Sequence, residues 1–349
     1  MKKIQSTRTR VVCSFAACCV ASGLAIAGPK GDPLNAYIIE GSAFFGAPGI
    51  ELTSVGLVDL SDPSNVTLLP LAGTNLRFGG ADIRPGSSEL VAFENTTNAL
   101  RILDTMSGGN ALIDSIGYMD SGVAGMTYSN DGSVIYVTAT VGAFVRIVEA
   151  NADTGAVISV HNILTNVLTS LATVPEGHPT LTPGAIMGLS LTAGGSVRLV
   201  ELDLDNNVIA SETSVFGIGF NPQFETGLDF ASDGTLYAVI QGYDEVSPDV
   251  FVEISSHLYT IDPSSGSAFD LGVIESDSTW DAVTLVIDDA SENCLAADLN
   301  NDGELNFFDV SAFLIAFSNQ DPIADFTSDG EFNFFDVSDF LAQYATGCP

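Results

Sequence analysis

Gly125-Met-Thr-Tyr128-Ser-Asn-Asp131-Gly132-Ser-Val-Ile-Tyr136-Val137 reads as an apolar strand, a polar Asp-Gly turn and a second strand. The same phrase returns as Gly227-Leu-Asp-Phe230-Ala-Ser-Asp233-Gly234-Thr-Leu-Tyr237-Ala-Val239. Weaker copies lie at 81–93, near 189–199 and at 280–287. Between these copies runs a second motif, a strand that ends in an apolar-acidic pair and a turn. It occurs at Val58-Asp59, Leu103-Asp104, Val148-Glu149, Leu202-Asp203 and Ile261-Asp262. The two motifs interleave five times without a miss.

The acidic residues of the second motif, Asp59, Asp104 and Glu149, stand 45 residues apart, and the next two follow after 54 and 59. A unit of that length holding four short strands is the size of a propeller blade. Residues 28–290 therefore read as a mainly β domain, a β-propeller of five units. The stretch from Ala156 to Ala185 leaves room for part of a sixth, so five to seven blades are open. A β-sandwich is the alternative, but it does not predict ordered alternation. The last strand–turn–strand copy stops after Ile287 without its second strand. Asp32-Pro-Leu-Asn-Ala-Tyr37-Ile-Ile-Glu-Gly41 parallels Asp233-Gly-Thr-Leu-Tyr237-Ala-Val-Ile-Gln-Gly242 and supplies the missing one. Pairing the strand around Tyr37–Glu40 with that around Val283–Ile287 would close the ring and remove two free sheet edges.

The C-terminal residues carry another repeat. Asp298-Leu-Asn300-Asn-Asp302-Gly303-Glu304-Leu-Asn306-Phe-Phe-Asp309 recurs as Asp325-Phe-Thr327-Ser-Asp329-Gly330-Glu331-Phe-Asn333-Phe-Phe-Asp336, offset by 27 residues throughout. Oxygen side chains at loop positions 1, 3, 5, 9 and 12, with Gly at 6 and a backbone carbonyl from Glu304 or Glu331 at 7, suit Ca²⁺. Two ions are expected. After each loop comes an apolar stripe at i, i+3, i+4 and i+7: Val310, Phe313, Leu314, Phe317, and Val337, Phe340, Leu341, Tyr344. Two short helices can bury those stripes on each other. No entering helix fits before either loop.

Loop–helix twice, ending in Gly347-Cys348-Pro349, resembles a dockerin domain of the GC-type dockerin domain-anchored kind, over residues 294–349. The resemblance implies calcium-dependent docking to a cohesin-like or cell-surface partner. The sequence departs from the common pattern at Thr327, where the first loop has Asn300. It departs again at loop positions 10 and 11, which hold Phe307, Phe308, Phe334 and Phe335. One Phe of each pair is expected to stay exposed as a partner-binding patch. Cys294 and Cys348 bracket the module and read as one disulfide in an exported chain.

Residues 1–27 read as a signal peptide. Lys2, Lys3, Arg8 and Arg10 form a basic start, residues 11–26 a short apolar run, and Ala25-Ile26-Ala27 a cleavage site before Gly28. The remaining chain is expected to be secreted, without membrane insertion. The full chain carries a net charge of −34, and the leader removes basic residues only. So acidic a surface argues against nucleic acid as a partner.

The propeller shows little chemistry. Its three His residues fall in no metal-ligand spacing, and no G-x-S-x-G elbow is present. Acidic pairs such as Asp203/Asp205 sit at turns, where solvation explains them. Protein or glycan binding is the expected propeller role. The alternative is a polysaccharide hydrolase or lyase with its site in the propeller mouth, and a surface-display protein is a third reading.

Overall fold

The computed structural model describes residues 35–40, 55–69, 78–85, 87, 89–95, 97–105, 108–116, 123–141, 144–165, 167–192, 195–247, 250–274, 282–288, 297, 299, 307–327 and 330–346. The chain divides into two compact units, residues 1–32 and 33–349, and all described residues lie in the second. The leader, Trp280, Cys294, Cys348 and the first-loop residues Asp298, Asn300, Asp302, Glu304 and Asn306 fall outside the described residues, as does Asp329. Among the described residues no helix is long and apolar enough to cross a membrane.

Five antiparallel sheets of four strands form a propeller of five blades. Blade 1 joins β20 (Ala282–Asp288), β1 (Asn35–Glu40), β2 (Val55–Asp59) and β3 (Asp62–Leu69). Blade 2 holds β4 (Phe78–Ile83), β5 (Leu90–Glu94), β6 (Ala99–Leu103) and β7 (Asn110–Ser115). Blade 3 holds β8 (Val123–Tyr128), β9 (Val134–Val141), β10 (Phe144–Asn151) and β11 (Val157–Ile163). Blade 4 runs from β12 (Val167–Thr173) through β13 (Ile186–Leu191) and β14 (Val197–Asp203) to β15 (Val208–Ser214). Blade 5 runs from β16 (Asn221–Phe230) through β17 (Leu236–Ser247) and β18 (Val250–Ile261) to β19 (Ala268–Val273). The first strands β20, β4, β8, β12 and β16 touch one another around the ring.

Burial follows position within the blade. Second strands such as β5 and β13 are buried along their whole length, while the outermost β7 and β15 are largely exposed. Five apolar clusters fill the spaces between blades. One, for example, sets Phe93 and Leu100 of blade 2 against Met126 and Ile135 of blade 3. Another sets Ile38 and Leu285 of blade 1 against Val239 and Leu258 of blade 5. Near the axis the backbones themselves converge. A Cβ on Gly80 would stand 2.7 Å from the Met126 amide nitrogen, and one on Gly125 would stand 2.8 Å from Ser170 Cα. Only glycine fits there.

The ring closes as the truncated last copy requires. β1 pairs with β20, matching Tyr37 to Val286 and Ile38 to Leu285. Two sequence expectations need correction. The third turn of the apolar-acidic motif centres on Asn151, not Glu149. Asn151 Oδ1 accepts the amides of Asp153 (3.1 Å) and Thr154 (3.0 Å). A short side chain reaches its own following backbone, whereas Glu149 lies within β10 and faces its neighbour strand. The region 189–199 is the β13–β14 hairpin, and the first turn of blade 4 is the longer segment 174–185. His178 Nδ1 organises that segment by accepting the amides of Thr180 and Leu181. No sixth blade is hidden there.

The C-terminal module has its own core. Helix α1 (Phe307–Asn319) and helix α2 (Phe334–Thr346) meet at Phe313 and Phe340, whose rings stack 4.1 Å apart and only 2° from parallel. These two residues share the 27-residue offset of the loops, so the stack joins like to like. Phe326 meets both rings edge-on, and Ala297, Ala324, Val310, Phe317, Val337 and Tyr344 join the cluster, while Leu314 and Leu341 of the expected stripes stay exposed.

Candidate functional site

One position near the end of each blade's first strand is repeated around the ring. Thr127 and Asp229 occupy matching places in the two clearest strand–turn–strand copies, and Asp82 precedes the end of β4 in the same way. Asp82 Oδ2 accepts the Tyr128 amide at 2.8 Å, Thr127 Oγ1 accepts the Thr173 amide at 3.1 Å, and Asp229 Oδ2 accepts the Ile287 amide at 2.7 Å. Each bond ties one blade to the next. The corresponding residues of blades 4 and 1, Ala172 and Val286, offer no acceptor. The amides they would have served, Phe230 and Ile83, turn to their own neighbours Asp229 Oδ1 (2.8 Å) and Asp82 Oδ1 (2.7 Å). All five amides are satisfied.

Asp82 is a carboxyl under tension between two effects. Burial pushes its pKa up to about 7, while hydrogen bonds from Tyr128, Ile83 and Thr127 pull against that rise. Both of its oxygens are committed to backbone amides. This is the chemistry of an interblade tie, and a reacting group would need a freer oxygen.

On the outer part of blade 3, Ser159 Oγ stands 2.6 Å from His161 Nε2, and His161 Nδ1 stands 3.1 Å from Asn207 Oδ1. That order resembles a nucleophile, base and orienting amide. Ser159 also donates to Glu149, whose Oε1 is 3.6 Å from His161 Nε2. The Glu–Ser pair repeats in blade 4, where Ser211 Oγ donates to Glu201 at 3.0 Å and Thr213 stands in place of the His. The serine proton is engaged by a carboxylate, and the pair belongs to the outer hairpin of more than one blade. His161 and Asn207 then tie blade 3 to blade 4. A second outer pair, His257 Nδ1 with Asp270 Oδ2 at 2.9 Å, lies beside the Phe220 and Tyr259 rings in blade 5.

In the second C-terminal loop the ends are drawn together. Asp336 is fully buried, and its Oδ1 accepts both the amide (3.1 Å) and the hydroxyl (2.9 Å) of Thr327. Its Oδ2 accepts the Asn333 amide at 2.8 Å. That amide, followed by the two Thr327 donors, holds the Asp336 carboxyl below its ordinary range, against the effect of burial. Asp325 Oδ2 accepts the Gly330 amide at 2.9 Å, and its Oδ1 is 3.5 Å from Thr327 Oγ1. Gly330 adopts a φ of 78°, with open space where a Cβ would stand. Asn333 Oδ1 caps α2 through the Phe335 amide at 2.8 Å. The described donor set of Asp325, Thr327, Asn333 and Asp336 is all oxygen and suits a hard cation such as Ca²⁺. Among the described residues no three His, Cys, Asp or Glu side chains gather as a metal cluster. In the first copy Asp309 is likewise fully buried.

Phe307 and Phe308 are 75% and 67% exposed, and Phe334 and Phe335 are 75% and 65% exposed. Both members of each pair face outward, where only one was expected. At ~100° per residue, the first and second helical positions lie about 120° and 140° from the direction of Phe313 or Phe340. Neither can reach the core. The two pairs also match in shape, with ring centroids 6.4 and 6.3 Å apart at 65° and 66°.

No protein-family model matches the chain, and no curated protein matches it. Among solved structures, hydrazine synthase of Kuenenia stuttgartiensis is similar at 14% identity and TM-score 0.41, over 63% of this chain and 60% of that one. TolB of Acinetobacter baumannii is similar at 17% identity and TM-score 0.42, over 69% and 53%. A Bacteroides caccae protein of unknown function is similar at 13% identity and TM-score 0.38, over 73% and 98%. The chain spans less than two thirds of the first two matched chains. Likenesses this distant carry no argument about activity, and the blade count rests on strand pairing.

Proposed function

We propose that this chain is an exported five-bladed propeller whose C-terminal repeat binds two Ca²⁺ and docks it to a cohesin-like or cell-surface protein. The observation that carries the reading is the pair of exposed diphenylalanines, alike in geometry, each placed at a helix start by an oxygen-rich loop. Grouped exposed aromatics mark interfaces, because burying them against a partner removes a large apolar area from water. Residues 294–349 hold ten acidic residues and no Lys, Arg or His. The partner should therefore offer apolar pockets with a basic rim. Calcium would be held by Asp298, Asn300, Asp302, Glu304, Asn306 and Asp309 in one loop. Asp325, Thr327, Asp329, Glu331, Asn333 and Asp336 would hold it in the other. Its charge would offset the buried carboxylates and fix both helix starts.

In this reading the propeller is cargo that binds protein or glycan. Its visible side-chain clusters are interblade and cross-strand ties, which supports binding over catalysis. The test is capture of extracellular protein by the full chain, with calcium and with chelator. Calcium-dependent capture should be lost when Phe307, Phe308, Phe334 and Phe335 are all replaced by Ser. Capture that ignores both calcium and the four substitutions would defeat the proposal.

A further inference from the structure

Thr327 stands where the first loop has Asn300, and as a cation ligand a hydroxyl is a modest substitute for an amide carbonyl. Its contacts point elsewhere. The Thr327 amide and hydroxyl both donate to one oxygen of Asp336, at 3.1 and 2.9 Å, while its hydroxyl is 3.5 Å from Asp325. Asp336 is fully buried at the start of α2 and takes its remaining described bond from the Asn333 amide. Asn333 in turn caps the helix at Phe335. A chain of contacts thus runs from loop position 3 to position 12, then to the helix cap and the exposed Phe334–Phe335 pair.

We infer that Thr327 is a positioning residue of the second loop: its hydroxyl holds the Asp336 carboxylate, and through it the start of α2, in the geometry that binding requires. The inference rests on the calcium-docking reading for its purpose, but the hydrogen bond itself does not depend on a cation. A hydroxyl bond to a buried carboxylate is strong because the acceptor is charged and shielded from water. An Asn at this position offers its carbonyl to a cation, and its longer side chain gives up the short hydroxyl contact with Asp336. The two loops would therefore divide the work differently, with Asn300 acting as a ligand alone and Thr327 as a weaker ligand whose hydroxyl proton also braces Asp336.

The experiment compares Thr327→Val, Thr327→Ser and Thr327→Asn in the full chain. Hydrogen–deuterium exchange over residues 325–336 is read in chelator and in calcium, and calcium binding is read by calorimetry. In chelator, Thr327→Val should speed exchange of this segment about tenfold, the loss of one charge-assisted bond. Thr327→Ser, which keeps the hydroxyl, should stay near the parent. Thr327→Asn should also speed exchange in chelator and should not tighten calcium binding. Unchanged exchange in Thr327→Val, or an Asn variant that binds calcium more tightly with exchange unaltered, overturns the positioning role. A parent chain that takes up fewer than two calcium ions sinks the docking reading, while exchange in chelator still decides the role of Thr327.

Discussion

Neighbouring blades meet through five separate apolar clusters and a set of side chain-to-amide bonds, whereas the two helices of the C-terminal module meet around one aromatic cluster centred on the Phe313–Phe340 stack. In the ring, three of the five junctions repeat the same solution with different residues. Asp82, Thr127 and Asp229 serve as acceptors where Ala172 and Val286 cannot, and no junction is left with an open amide. In the module, Phe313 and Phe340 are both 1% exposed and have no duplicate. Contacts spread over five junctions tolerate variation at one position better than one small cluster does. The propeller can therefore drift in sequence at a given blade, while the module depends on a few aromatic positions.

The sharpest way to break this contrast is Phe313→Ala. Removing a buried ring that stacks on Phe340 should cost about 3–5 kcal/mol, more than so small a core can lose. Limited proteolysis should then degrade residues 307–346 while the sheet signal in circular dichroism is unchanged. Loss of the propeller transition as well would show that the two regions do not have independent cores.

In the ring, Asp229→Ala should damage the ties more than Thr127→Val does. It strips partners from both Phe230 and Ile287 amides, at about 1–3 kcal/mol for each unsatisfied buried group. Thr127→Val removes one acceptor and should cost about half as much. Urea midpoints of the two variants give the comparison directly. Equal costs would mean that the amides find substitutes and that the apolar clusters alone hold the blades.

Titration sharpens the comparison further. Asp82 goes from 3.8 when unfolded to about 7 when folded, so the folded chain holds its proton more tightly. Its contribution is full below pH 3.8 and is lost as pH rises through 7. Asp131 and Asp262 act oppositely. Hydrogen bonds led by Ser129 and Ser264 lower them to about 2, so their contribution is present above pH 3.8 and lost toward pH 2. Thermal midpoints should rise from pH 2 to 4 and decline from 4 to 7. Asp82→Asn should flatten only the upper limb. A decline that persists in Asp82→Asn assigns it to other groups.

The smallest effect on stability belongs to the residues with the largest proposed role. Phe334→Ser or Phe335→Ser alters an exposed ring and should shift the module's unfolding by no more than about 0.5 kcal/mol. A larger loss would move these rings from the partner surface into the module's own support.

Much of the fold could be read from local pattern. The Asp-Gly turns at 131–132 and 233–234, the alternation of the two motifs and the unpaired strand at Tyr37 predict a ring and how it closes. The interblade ties were harder to see, although Thr127 and Asp229 fall at matching places in the two clearest copies. A Thr and an Asp look unlike each other until both are seen to accept the next blade's amide. Glu149 and Asn151 pose the same difficulty. An acidic residue two places from Asn151 fits the motif by type, but only the turn geometry tells which side chain reaches its own backbone.

The sequence by itself determined most of the strands and turns, the repeat offset in the C-terminal loops and their oxygen-rich pattern, because each depends on residues close together in the chain. Tertiary structure alone decided the number of blades, the partners of Asp82 and Asp229, the union of Ser159, His161 and Asn207, and the outward direction of all four Phe side chains. Those outcomes depend on which distant strands converge on one axis and which helix face meets its copy, and no local spacing encodes that convergence.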